Sequence, residues 1–85
     1  MSRTSSKTVY VLGGFEFMVT PRQREFLDIL VGSGDIPVGI SELCSRMGVS
    51  LNNLRVLKLG LSSLLRDSGY YILNTRGGYK LVKGD

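Results

Sequence analysis

Two hydrophobic rhythms run through this chain, and the changes between them mark its elements. Thr8 to Val19, TVYVLGGFEFMV, gives two β-rich runs on either side of Gly13-Gly14. Two adjacent glycines supply the positive φ values that a tight hairpin turn demands. Phe15, Phe17 and Val19 alternate with Glu16 and Met18, so one face of the second run is free to pack on a core. The period then lengthens. Thr20-Pro21-Arg22-Gln23 opens a helix, with Thr20 as N-cap, proline at the first helical position and Gln23 completing a capping box. Phe26, Leu27 and Leu30 line one face, Ile29 and Val31 lie at its margins, and Gly32-Ser33-Gly34 stops it. This glycine-rich stretch ends a helix instead of joining a strand to one, so it is not a phosphate loop.

Asp35 to Val38 is an extended connector, and Val38 is placed to add a short third strand. From Gly39 to Arg66 the pattern predicts two helices meeting at a tight turn. Gly39 caps the first, where Glu42 at the third position favours the helix N-terminus. Leu43, Cys44 and Met47 form a compact apolar set before Gly48. A helix that stops and restarts within about three residues needs a positive-φ residue at its end, which is glycine's role, and Ser50 then serves as the next N-cap. This layout is a helix-turn-helix, whose second helix is the one that enters a DNA major groove. Over the predicted span Leu51 to Arg66, Leu54, Leu57, Leu61, Leu64 and Leu65 fall on one side. Asn52, Arg55, Val56, Leu59, Ser62, Ser63 and Arg66 fall on the other, with Lys58 on a flank. Asp67-Ser68-Gly69 ends the helix, with Gly69 as C-cap. Tyr70 to Thr75 and Tyr79 to Val82 then flank Arg76-Gly77-Gly78 as a hairpin with a basic tip.

Composition narrows the function. Eighty-five residues allow one domain with a modest core, and a hydrophobic fraction of 42% fits a folded chain. Residues 1–7 read as a flexible polar tail and 8–83 as the domain. No apolar run approaches the roughly 20 residues of a membrane span, and the N-terminus lacks an apolar signal core. The single cysteine, Cys44, fits a reducing, cytoplasmic setting. With one cysteine and no histidine, a zinc finger and histidine-based nucleophilic catalysis are excluded. The acids are scattered without a paired-carboxylate constellation, so neither an enzyme nor a metal or cofactor site is expected.

Charge is unevenly placed. Residues 1–42 carry four basic and five acidic side chains, whereas 43–84 carry seven basic side chains and Asp67 alone. That bias points to a polyanionic partner, although an ordinary solvated basic surface would look the same. Arginine and asparagine hydrogen-bond guanine and adenine edges at two points, so Asn52 and Arg55 are the first choices for base contact. Val56, Leu59 and Ser62 share the reading face. The two aliphatics either touch thymine methyls, belong to a protein interface, or sit against the sheet if the helix is rotated. Arg46, Ser50, Asn53, Lys58, Ser63, Arg66 and Lys80 are candidates for the DNA backbone. Arg76, Gly77 and Gly78 form a wing whose tip reaches the minor groove or flanking phosphates.

Strands, a TPRQREFLDIL helix, an ISELCSRMG helix, a longer basic helix and a TRGGYKL hairpin follow in that order. The series resembles the DNA-binding effector domain of OmpR/PhoB-type response regulators, from about Phe15 to Val82. Its most specific part is Thr75-Arg76-Gly77-Gly78-Tyr79-Lys80-Leu81, supported by Thr20-Pro21-Arg22 with Glu25-Phe26 and Leu30. The resemblance implies an α+β winged helix-turn-helix: three helices, an N-terminal β-hairpin and a C-terminal β-hairpin wing. It further implies that the third helix reads the major groove, that Arg76 contacts DNA, and that Gly77, Gly78 and Tyr79 shape the wing. The sequence departs from the family in a wing one residue shorter and in a third helix without its usual valines alternating with Asp and His. It also has no receiver domain, so the expectation is a standalone regulator of bacterial or phage type.

The leading expectation is a sequence-specific regulator of transcription binding double-stranded DNA, as a dimer or in tandem, because one such domain makes few contacts. The alternative is a protein-interaction winged helix acting on RNA polymerase or another regulator.

Overall fold

The computed structural model describes residues 7–84, so most of the expected tail lies outside the described residues. The first hairpin forms as its glycines dictate. Strands β1 (Thr8–Leu12) and β2 (Phe15–Val19) pair antiparallel from Thr8 opposite Val19 to Leu12 opposite Phe15. Gly13 and Gly14 between them hold φ of 59° and 86°, which the primed two-residue turns require. Leu12 and Val19 are buried, whereas Val9, Val11 and Met18 stand exposed on the opposite face.

Helix α1 (Pro21–Ser33) starts with the full capping box. The Gln23 amide donates to Thr20 Oγ1 at 3.2 Å, and the Thr20 amide donates to Gln23 Oε1 at 2.9 Å. Two orphan donors are thereby satisfied at once. Phe26, Leu27 and Leu30 are buried, and Gly34 caps the far end. On the polar side the Tyr10 hydroxyl donates to Asp28 Oδ1 at 3.0 Å, tying β1 to α1. Burial of the ring, reinforced by that carboxylate, pushes the tyrosine hydroxyl up to about 12.

A second sheet is built around the C-terminal hairpin. Strand β4 (Tyr70–Thr75) pairs antiparallel with β5 (Gly78–Lys83), and β3 (Val38–Gly39) joins the other edge of β5, giving the order β3-β5-β4. The hairpin is therefore not free-standing, as a simple wing would be. Gly78 makes this possible, since a Cβ there would lie 2.6 Å from the Val38 carbonyl oxygen. Tyr79, opposite Val38, is buried with its ring 6.1 Å from that of Phe26.

Helices α2 (Ile40–Met47) and α3 (Leu51–Leu64) meet at Gly48, which takes the left-handed conformation at φ 68° and ψ 36°. Its amide donates to the Cys44 carbonyl at 2.8 Å. The Ser50 hydroxyl accepts from the Asn53 amide at 3.2 Å, capping α3 as its position predicts. The end of α3 corrects the expected one. It stops at Leu64, with Leu65 as C-cap, instead of running to Arg66 with Gly69 as the cap. Leu65 is drawn into the core, and the Ser68 hydroxyl donates to its carbonyl at 2.8 Å while accepting from the Tyr70 amide. Those bonds close the turn from α3 into β4, which starts at Tyr70 as expected.

The core comprises Leu12, Val19, Phe26, Leu27, Leu30, Val38, Leu43, Met47, Leu54, Leu61, Leu65, Ile72 and Tyr79. Leu57 and Leu64, also expected inside, are half-buried at its edge. The described residues thus form an α+β domain of three helices and two small antiparallel sheets. Among the described residues no helix is long and apolar enough to cross a membrane.

Candidate nucleic-acid interface

Because α3 gives Leu54 and Leu61 to the core, its opposite side has nowhere to go but outward. Asn52, Asn53, Arg55, Val56, Leu59 and Ser63 are exposed, and Arg66 lies exposed in the turn that follows. Val56 and Leu59 are each 66% exposed, which rules out the rotated helix in which they would rest against the sheet. Ser62, closer to the flank, is half-buried.

Two shallow clefts run along this face. On one side Arg55, Lys58 and Leu59 share a cleft with Ile40, Asn74 and Tyr79, bringing the helix beside the hairpin and the start of α2. Lys58 Nζ lies 5.9 Å from the centroid of the Tyr79 ring, at the outer limit of a cation–π contact. On the other side Asn53, Val56 and Leu57 share a cleft with Val49 and Arg22. No carboxylate lines either cleft. Arg22 was not among the cations expected here. Local pattern gave no sign of it, because it reaches this face only through the packing of the α1 N-terminus beside α3.

The hairpin tip is anchored. Gly77, at φ 74°, completes the turn, and its carbonyl accepts from the Ile40 amide at 3.0 Å. The Thr75 hydroxyl donates to the Gly78 carbonyl at 3.2 Å. Arg76 is exposed at the turn, two residues beyond Asn74 on the cleft. Gly78 is buried against β3 and has no outward surface to offer.

Two expected phosphate contacts fall elsewhere. Lys80 neighbours Tyr79 on β5, and strand alternation sends the two side chains to opposite faces. With Tyr79 in the core beside α3, Lys80 emerges on the far face, where Nζ donates to the Asp35 carbonyl at 3.5 Å. Arg46 pairs with Glu42 across one helical turn at 3.4 Å. It lines a cleft with Thr8, Pro21, Arg24, Glu25, Asp28 and Ile29, to which α3 contributes nothing. Ser50 is exposed, but its hydroxyl oxygen is engaged as the α3 cap.

Among the described residues no group of Cys, Asp and Glu is placed to hold a metal ion. Comparison with protein-family models, curated proteins and solved structures finds no match to this chain. Its functional reading therefore rests on its own geometry.

Proposed function

We propose that this chain is a winged helix-turn-helix protein that binds double-stranded DNA sequence-specifically and regulates transcription. Helix α3 enters the major groove, and the β4–β5 hairpin lies along the adjacent groove or backbone. The observation that carries this reading is the outward face of α3. It is free of acids, holds Asn52 and Arg55 in the open, and is bordered by Arg22 on one side and Lys58 on the other. Such a face meets a polyanion without repulsion and presents the two side-chain types suited to purine edges. Arg22, Lys58, Arg66 and Arg76 supply phosphate contacts, with Asn53 and Ser63 as neutral donors. Pairing on DNA, as a dimer or in tandem, would provide the remaining specificity.

A second reading, a winged helix that docks on RNA polymerase or another regulator, draws on the exposure of Val56 and Leu59. The charge around those residues favours DNA. The deciding experiment is a titration of duplex binding against salt. Neutralising about four phosphates per chain predicts a slope of log affinity on log salt of about −3.6. A flat dependence would contradict the proposal.

A further inference from the structure

The most exposed large aliphatics of α3 are Val56 and Leu59, and they do not stand alone. Asn52 precedes Val56 by four residues, and Leu59 follows it by three, so the three side chains form one ridge along the outer face. Cations border the ridge on both sides, Arg22 next to Val56 and Arg55 with Lys58 next to Leu59. A purely hydrophobic partner would leave those charges facing apolar surface, at a desolvation cost. A major groove answers both features at once, with phosphates along its edges and, wherever thymine occurs, methyl groups on its floor.

We infer that this ridge selects a short A·T core: Asn52 pairs with an adenine edge, and Val56 and Leu59 bury thymine 5-methyl groups. This rests on the proposed DNA-binding function and names the bases that the same site prefers. From Asn52 to Leu59 the helix advances roughly 10 Å, about three base-pair steps at 3.4 Å each. One adenine reader and two thymine readers thus span one short run of A·T pairs, while Arg55, on the flank, addresses a guanine at its border.

The test begins with selection of bound duplexes from a random pool at about 0.15 M salt. The binding constant of the selected duplex is then measured with each thymine replaced in turn by deoxyuridine, which lacks only the methyl group. Two replacements in the core should each weaken binding about fourfold, the worth of one buried methyl. Val56→Ala should abolish the sensitivity at one of these positions and Leu59→Ala at the other. Both side chains are exposed, so neither variant threatens the fold. A selected core of G·C pairs, or tight binding indifferent to every deoxyuridine, would overturn the inference and leave DNA binding standing. Unchanged selection and affinity in a Val56→Ser, Leu59→Ser variant would also overturn it and assign the ridge to a protein partner. Failure of the wild-type chain to bind any duplex would remove the proposed function, and this inference with it.

Discussion

Replacing Arg55 with alanine is expected to weaken binding to the preferred duplex roughly 10- to 100-fold, the usual worth of a two-point guanine contact. Specificity should relax at one base pair, visible when all four bases are compared at each position of the site. The change should not disturb the fold. Arg55 is exposed and makes no ion pair or side-chain hydrogen bond among the described residues. Lys58→Ala provides the contrast. Its loss should weaken all sequences alike and reduce the salt slope by about one, because a phosphate contact carries no sequence information. If Arg55→Ala behaved as Lys58→Ala does, Arg55 would be a backbone contact and not a base reader.

The second large effect concerns stability. Gly78→Ala places a methyl group 2.6 Å from the Val38 carbonyl oxygen and 3.0 Å from its carbonyl carbon. Both are backbone atoms held by the pairing of β3 with β5, so no side-chain rotation relieves the clash. Either β3 separates from β5 or the hairpin shifts, and both disturb the Ile40 to Gly77 hydrogen bond that fixes the tip. A loss of roughly 2 kcal/mol, or about 10 °C in Tm for a domain of this size, is expected by calorimetry or circular dichroism. A Tm within a degree or two of wild type would mean that β3 contributes little to holding the hairpin.

Features with local causes were legible in the sequence, and those with distant causes were not. The capping box of Thr20 and Gln23, the left-handed corner at Gly48, the Ser50 cap and the Gly13-Gly14 turn were all readable, because each is settled by residues within a few positions of one another. The inward placement of Leu54, Leu61 and Leu65 was readable for the same reason, since helical periodicity is local, whereas Leu57 and Leu64 reach only the edge of the core. What escaped depends on residues far apart in the chain. That Gly78 is a spacer for Val38 follows only once β3 lies against β5. The arrival of Arg22 beside Asn53 and Val56 needs α1 to pack along α3. Lys80 shows an intermediate case. Alternation fixes it opposite Tyr79, but which of the two faces α3 is decided by the burial of Tyr79 against Phe26. Arg46 was assigned by charge alone, and its place on the α1 side of α2 removes it from the interface. Arg66 keeps its exposure, although the helix expected to carry it ends at Leu64.

One particular face, the outer side of α3 with the neighbouring hairpin tip, is proposed to meet DNA. The most direct measurement is a titration of the isotopically labelled chain with the selected duplex, following backbone amide resonances. Shifts concentrated at residues 51–63 and 74–77, with the β1–β2 hairpin and the cleft of Arg24, Asp28 and Arg46 unmoved, are the predicted result. Shifts centred on that second cleft while Asn52, Arg55 and Leu59 stay silent would contradict it.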